Sequence, residues 1–242
     1  MLTMNEIISN ENLSAAFEHY EKRKNSCGSD GMPMAEIKQY WEMNQVWLIQ
    51  ELREGNYQPG PVKSYEVLNG KGKRRTVYSL NSIDRFLCRL LAQKMKEIFE
   101  PAFLPTSYAY REGKSTQMAV TQAVKYISEG KRYVAEIDLK DFFDQIPLDT
   151  LLRLLKKQIS DQSVIVLIEK YLYCSVINDN SVMERRSRGL IQGSPISPVL
   201  SNLYLNQLDQ YMECQEYSWI RFADNVNIYM CTQVQGGGQK DF

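Results

Sequence analysis

The stretch RFADNVNIYM, residues 221–230, places an acidic residue and an amide, Asp224 and Asn225, between two apolar runs. Short apolar runs on both sides of a polar turn predict a β-hairpin, here over residues 218–230 with the pair at its tip. An aspartate in such a place commonly does no more than end its strand. A function for Asp224 therefore depends on what the rest of the fold brings next to it.

A second aspartate, Asp138, ends the apolar run RYVAEIDL at residues 132–139, which predicts another strand. Asp138 and Asp224 are too far apart in the chain for one to cap the other. If their strands are neighbours in one sheet, both carboxylates emerge at the same edge, where their repulsion calls for cations. Mg²⁺ prefers such oxygen ligands, and two ions about 3.5–4 Å apart clamp both oxygens of a phosphoryl transfer.

The composition is that of an ordinary soluble globular protein, with 242 residues, 43% of them apolar and 24% charged. No apolar run approaches the roughly 20 residues of a membrane span, so we expect no membrane partner. Five scattered cysteines without a CxxC pair predict reduced thiols and a cytoplasmic protein. The single histidine, His19, excludes Ser-His-Asp, Cys-His and multi-histidine metal chemistry. Catalysis must then depend on carboxylates, lysines, arginines or bound metal.

The rest of the pattern predicts an α+β fold, with antiparallel strands and helices packed on one side. Strands over residues 64–68 and 74–80 flank Asn69-Gly70, the strongest short signal for a hairpin. The predicted helices cover residues 12–24, 34–54, 82–99, 115–128, 148–158, 161–173 and 199–212.

Three segments resemble the core palm motifs of reverse transcriptases in sequence, order and spacing. They are EIDLKDFFDQIPLDTLL at 136–152, GLIQGSPISPVLSNLYLNQLD at 189–209, and RFADNVNIYM. The bacterial group II intron class, whose members are maturase-like, is the most similar. Upstream, GSDGM, GKGKRRTVYSLNSIDRFL and SYAYREGKST resemble the finger motifs of that class, so the resemblance covers essentially all of residues 1–231.

The resemblance implies the fingers and palm of a right-hand polymerase. An N-terminal extension and fingers are expected at residues 1–112 and a palm at 113–242, with a return to the fingers at about 150–187. The chain is expected to be truncated before the thumb. The apolar palm surface left exposed by such a truncation favours a homodimer.

The activity implied by the resemblance is that of an RNA-directed DNA polymerase that uses two Mg²⁺ ions, with Mn²⁺ as an alternative. Asp138 and Asp224 would be catalytic and bind the metals, the carbonyl of Leu139 would be a further metal ligand, and Asn225 would occupy the third catalytic position. The expected partners are an RNA template or structured intron RNA, a DNA or RNA primer, and a dNTP.

Further residues match positions at the incoming nucleotide. Phe143 would be an aromatic steric gate that clashes with a 2′-hydroxyl, with Phe142 as the second choice and core packing as the alternative for either. Gln192 and Gly193 would lie against the nucleotide and its paired template base, where glycine permits close approach of the backbone. Their alternative role is an ordinary turn that caps a helix.

A compact basic cluster, KGKRR at residues 71–75, lies in a chain whose formal net charge is zero. Lys73 and Arg75 are two apart on the second finger strand and so point to the same face. This face suits a nucleotide triphosphate, because Arg75 can fork onto phosphate oxygens. The alternative is a solvated, charged hairpin.

Asn225 departs from the resemblance, because the family's turn usually carries two adjacent aspartates. An amide offers a metal a neutral oxygen but no negative charge. Removing one of three carboxylates predicts weaker metal binding and a loss of roughly several powers of ten in rate. We therefore expect a polymerase core that synthesises DNA poorly or not at all.

Other functions stay open. A maturase-type RNA-binding module that aids intron splicing without polymerase activity would need basic surface and no metals. A third possibility is a relative of the polymerases that acts in host defence through protein assembly, but no residue of the sequence favours it. A glycosidase built on two carboxylates is poorly supported, because nothing suggests a sugar cleft or a proton-holding environment.

Overall fold

The computed structural model describes residues 2–23, 26–68, 74–177, 183–185 and 187–232. The chain forms two compact units, unit 1 with Met1–Pro101 and Asp141–Tyr204, and unit 2 with Ala102–Lys140 and Leu205–Phe242. All five cysteines are free thiols, as expected. No helix in the described part of the chain is long and apolar enough to cross a membrane.

Unit 1 is mainly helical. Helix α4, Ser82–Phe99, is its central element, and the side chain of Asn81 accepts a hydrogen bond from the N–H of Asp84 as the N-terminal cap. One apolar face of α4 is buried, with Phe86, Leu90 and Met95 at 0% exposure. The other helices of unit 1 are α1 Met4–Ile7, α2 Asn10–Glu21, α3 Ile37–Glu54, α6 Phe142–Gln145, α7 Leu148–Gln158 and α8 Gln162–Leu172. Helix α9, Ser197–Cys214, begins in unit 1 and ends in unit 2, and helix α5, Thr116–Ser128, lies in unit 2.

Among the residues that the structure describes, each unit contains one sheet. In unit 1 the strands are β1 Val62–Leu68, β2 Arg74–Ser79, β4 Ser175–Ile177 and β5 Met183–Arg185, in the order β2-β1-β4-β5. The pair β1–β4 is parallel, and the other pairs are antiparallel. In unit 2 the strands are β3 Tyr133–Asp138, β6 Ser218–Phe222 and β7 Asn225–Met230, which form an antiparallel sheet in the order β3-β7-β6.

Alternation along the strands of unit 2 sends neighbouring side chains into different apolar clusters. Trp219 of β6 packs with Met212 of α9 and Val226 of β7. The next residue, Ile220, packs instead with Ala119 of α5 and Tyr229 of β7. The central strand of this sheet is therefore covered by helices of unit 2 over much of its length, and its first residue is left exposed.

The predicted α+β class is confirmed. Each predicted helix is present, although the one expected over 12–24 covers Asn10–Glu21. Four short elements escaped prediction, namely α1, α6, β4 and β5, and the parallel pair β1–β4 was not expected. Elements of three or four residues are too short to show a period. Asn69-Gly70 lies outside the described residues, and the boundaries given to fingers and palm stay predictions.

Candidate functional site

The pairing of β3 with β7 brings the two segments that carry the predicted carboxylates together. In its antiparallel register, Asp138 lies opposite Asn225, and Ile137 lies opposite Val226. The N–H of Leu139 donates a hydrogen bond of 3.3 Å to the carbonyl oxygen of Asp224. The two strands are neighbours in one sheet, and the ends that carry Asp138 and Asp224 coincide.

The turn that joins β6 to β7 consists of two residues, Ala223 and Asp224, because Phe222 pairs directly with Asn225. Asn225 therefore begins strand β7, although the sequence places it at the tip. Ala223 has a φ of 57°, in the left-handed region that hairpin turns usually fill with glycine. A non-glycine residue there costs about 1–3 kcal/mol and persists only where its surroundings impose it.

A buried ion pair holds this turn. The guanidinium of Arg221, on β6, donates from Nε to Oδ1 of Asp209 over 2.7 Å and from Nη2 to Oδ2 over 2.6 Å. The third nitrogen, Nη1, donates to the carbonyl oxygen of Ala223 over 3.0 Å. The two charged side chains are 0% and 1% exposed. Arg221 thus connects helix α9 to the turn that precedes Asn225.

Burial raises the pKa of the Asp209 carboxyl, and the hydrogen bonds and charge of Arg221 oppose that rise. Sequence reasoning missed this pair. A signal was present, because Arg221 is a charged residue inside the apolar run from Trp219 to Phe222, and buried charges are almost always paired. Its partner could not be identified, since nothing in the helix pattern distinguishes Asp209 from a solvated residue.

The oxygen atoms at the end of β3 and β7 fit a hard cation. Directly opposite residues on one face of an antiparallel pair have Cβ atoms about 4.5–5.5 Å apart, so Asp138 and Asn225 are within reach of one ion. Asp224 adds a second carboxylate, and the Leu139 carbonyl a further oxygen. Across the described residues, no three His, Cys, Asp or Glu side chains form a metal-binding group. The candidate donors at this end are therefore two carboxylates, an amide and a backbone carbonyl, and metal binding by them stays a prediction.

Three of the residues predicted at the nucleotide lie together in unit 1. The carbonyl oxygen of Phe143 accepts a 2.7 Å hydrogen bond from the N–H of Leu190, and the side-chain amide of Gln192 approaches Asp144 Oδ2 to 3.4 Å. Gly193 has a φ of 100°, and a Cβ there would be 3.3 Å from the carbonyl oxygen of Tyr78. Glycine is needed at this position for both reasons.

The two candidates for an aromatic gate differ in burial. Phe142 is 7% exposed, and its ring centroid lies 6.2 Å from that of Tyr204, so Phe142 occupies a core position. Phe143 is only half buried. This difference favours Phe143, whose gating role stays a prediction. Arg75 lies on β2 opposite Val67, and Lys73 lies outside the described residues.

Residues 63–239 match the sequence profile of a family described as reverse transcriptase (RNA-dependent DNA polymerase). Protein YkfC of Escherichia coli is 30% identical over 76% of this chain and 49% of its own length. The group II intron-encoded protein LtrA of Lactococcus lactis is 29% identical over 68% of this chain and 27% of its own. The COX1/OXI3 intron 1 protein of Saccharomyces cerevisiae is 27% identical over 95% of this chain and 27% of its own.

Solved structures of a Cas6-RT-Cas1–Cas2 complex contain a chain of similar fold. The TM-score is 0.57, with 25% identity over 95% of this chain and 38% of that one in the partial complex. The protein thus spans a quarter to a half of the length of the relatives named above.

Proposed function

This chain belongs to the reverse transcriptase (RNA-dependent DNA polymerase) family, and on that premise we propose that it is the core of a group II intron-type reverse transcriptase whose nucleotide addition is impaired at Asn225. The observation that carries the proposal is the β3–β7 register. It places Asp138 opposite Asn225 and brings Leu139 to Asp224. Two carboxylates and one amide then occupy the position where the family usually has three carboxylates.

In this proposal Asp138 and Asp224 hold the divalent cations, with the carbonyl oxygen of Leu139 as a further ligand. Bound Mg²⁺ supplies charge stabilisation to phosphoryl transfer. The amide of Asn225 contributes an oxygen but no charge, so the two carboxylates supply all the negative charge among these ligands. Weaker metal binding is the cause of the impairment.

Other residues act on the incoming nucleotide in this proposal, by selecting its sugar and by positioning its base and its phosphates. Phe143 disfavours a 2′-hydroxyl, and Gln192 and Gly193 offer a surface to the base pair that forms. Lys73 and Arg75 bind the triphosphate. RNA template, primer and dNTP are the partners of this activity, and the homodimer stays a prediction.

The test is restoration of the missing carboxylate by Asn225→Asp, measured as primer extension on an RNA template with Mg²⁺. Mutations in groups that act as a unit change rates by large factors, so we expect addition of the first nucleotide to rise about a hundredfold or more. Asn227→Asp is the matched control, because it adds the same charge to β7 two residues away, opposite Glu136. Position 227 is half buried and is not a proposed ligand, so Asn227→Asp should raise the rate far less than Asn225→Asp.

Robust extension by the unmodified chain would refute impairment by Asn225. Equal effects of Asn225→Asp and Asn227→Asp would show that added charge, and not a ligand at position 225, sets the rate. No nucleotide addition by Asn225→Asp at any Mg²⁺ or Mn²⁺ concentration would count against the polymerase itself.

A second candidate is a maturase-type RNA-binding module, favoured by the amide at position 225 and by the intron-encoded proteins among the relatives. Its binding should not depend on the metal ligands. The Asp138→Asn variant removes a ligand without withdrawing Mg²⁺ from the RNA. Unchanged binding of a folded group II intron RNA by this variant, together with no extension by Asn225→Asp, would select this function. An unstructured RNA of equal length is the control.

A further inference from the structure

We infer that Arg221 is a positioning residue, whose guanidinium fixes the β6–β7 turn (Ala223 and Asp224) so that Asp224 is held in place beside Asp138. The catalytic consequence rests on the proposed function. The geometric part concerns the turn alone and can be tested without it.

All three nitrogen atoms of the Arg221 guanidinium donate hydrogen bonds. Its Nε and Nη2 bind both carboxylate oxygens of Asp209, and Nη1 binds the carbonyl oxygen of Ala223. The bidentate contact with Asp209 fixes the plane of the group, and that plane sets the direction of the third bond. A lysine ammonium on a flexible stem has no such plane, so it cannot impose this direction.

The turn needs an external restraint. Ala223 is held at a φ of 57°, which an alanine rarely adopts. Both carbonyl groups of the turn are bound, that of Ala223 by Arg221 and that of Asp224 by the N–H of Leu139. The second bond is the longer, at 3.3 Å, and depends on β3 being in register. The guanidinium of Arg221 therefore restrains the turn without β3, because it depends only on β6 and on Asp209 of α9.

A contribution to stability does not by itself explain why Arg221 and Asp209 form a buried ion pair. A buried ion pair loses much of its attraction to desolvation, and apolar residues of similar size often stabilise a fold as well or better. Strand β6 does not need the side chain either, because the backbone of Arg221 donates to Thr106 and accepts from Tyr108 over 3.0 Å each. What apolar residues could not supply is the directed bond to Ala223.

The test compares Arg221→Lys with Met212→Ala in the full chain. Met212 is 4% exposed in the same apolar cluster as Trp219 and Val226, so its truncation destabilises unit 2. It leaves the hydrogen bond from Arg221 to the carbonyl oxygen of Ala223 in place. The first readout is amide hydrogen exchange of residues 222–230, at a temperature where both variants are folded. We expect exchange about tenfold faster in Arg221→Lys than in Met212→Ala, because a restraint on the turn has been removed.

The second readout uses the same changes in the Asn225→Asp background. Loss of a group that orients a metal ligand typically weakens metal binding about tenfold or more. The Mg²⁺ concentration for half-maximal nucleotide addition should rise by that factor in Arg221→Lys, while KM for the dNTP stays within about twofold of its value without the change. Met212→Ala should leave both quantities unchanged.

If Arg221→Lys matches Met212→Ala in both readouts, the pair is structural and the inference is wrong. If Asn225→Asp adds no nucleotide, the proposed function fails, and the exchange comparison alone decides the inference. Should Arg221→Lys not fold, Asp209→Asn replaces it, since this change keeps the volume but loosens the plane of the guanidinium. The expected direction in each readout is the same.

Discussion

Two hairpins of the molecule, β1–β2 and β6–β7, are fixed at opposite ends. The β1–β2 hairpin of unit 1 is held at its base, where a buried carboxylate, Asp84, collects donors from the segment that leads into β1. The β6–β7 hairpin of unit 2 is held at its tip, where Arg221 binds the turn itself. An anchor at the base fixes where a hairpin starts, and an anchor at the tip fixes the residue that the hairpin presents.

The base anchor consists of neutral donors around one acid. The hydroxyl groups of Tyr57 and Tyr171 donate to Oδ1 of Asp84 over 2.8 and 2.9 Å, and the N–H of Gly60 donates to Oδ2 over 2.8 Å. Beyond it the strand emerges, since Val67 is 43% exposed and Leu68 is 71% exposed. The contrast indicates that placement of a particular side chain matters at β6–β7.

The largest expected effect is the removal of the tip anchor. Arg221→Met leaves the charge of Asp209 buried and unpaired, so the free energy of unfolding should fall by about 3–5 kcal/mol. Urea denaturation measures this change. The double variant Arg221→Met with Asp209→Leu is the control and should recover most of the loss, because no buried charge remains. A loss below about 1 kcal/mol in the single variant would contradict a buried, paired charge.

The next effect concerns the base anchor. Asp84→Asn keeps the shape of the side chain, but its NH₂ group must then face either Gly60 N–H or the two tyrosine hydroxyls. A buried polar group that loses its partner costs about 1–3 kcal/mol, and we expect about 2 kcal/mol by the same denaturation measurement. Tyr171→Phe, which removes a single donor, should cost less. If Asp84→Asn left the free energy of unfolding unchanged, Asp84 would not anchor the base of the β1–β2 hairpin. The contrast with the β6–β7 hairpin would then be wrong.

One substitution made in both hairpins compares them directly. Val226→Thr places a hydroxyl at a 2% exposed position of β7 and should lower the free energy of unfolding by about 1–2 kcal/mol. Val67→Thr makes the same change on exposed β1 and should stay within about 0.5 kcal/mol. Equal losses would show that the β1–β2 hairpin is as well packed as β6–β7.

The smallest effect concerns His19, which lies in neither hairpin. Its titration contributes to the loss of stability in acid and must be known before variants of the two hairpins are compared at low pH. Burial, aided by the nearby positive charges of Arg89 and Arg23, lowers the pKa of His19 from 6.5 to about 4. The unfolded chain therefore takes up this proton first, and stability decreases as pH falls from about 6.5 towards 4. The loss should be under about 1 kcal/mol, since the ring is partly exposed. As the only imidazole in the chain, His19 gives one NMR titration to follow.

A midpoint near 6.5 in that titration would contradict the burial of His19. His19→Gln is the matched variant for stability, because it keeps a polar side chain but cannot titrate. If unfolding measurements on His19→Gln show the same slope between pH 6.5 and 4, the slope belongs to other groups.

Prediction from sequence succeeded where the cause is local. The end of the helix predicted over 34–54, the start of the helix predicted over 82–99 and the hairpin over 218–230 depend on a few adjacent residues. In the structure Gly55 is left-handed after α3, and Asn81 caps α4. Prediction failed where partners are far apart in the chain. Asp84 draws its donors from residues 57, 60 and 171, and no pattern around it announces them.

The candidate site shows the same division. Asp138 and Asp224 could be paired from sequence only on condition that their strands were neighbours, and the register satisfied that condition. The placement of Asn225 on β7 and not in the turn was missed, because the exact residues of a two-residue turn depend on the backbone of Ala223. The pair of Arg221 with Asp209 was missed, because nothing in the sequence shows how α9 lies against β6.

The pairing of β3 with β7 also has a consequence for the order of folding. Strands β6 and β7 are joined by two residues, and such hairpins close within about 1–10 μs. Strand β3 must find β7 across more than a third of the chain, and that loop entropy is lost before any contact repays it. The aspartate of β3 is therefore expected to arrive late, so a nascent chain brings Asp138 beside Asp224 only after β7 has been made.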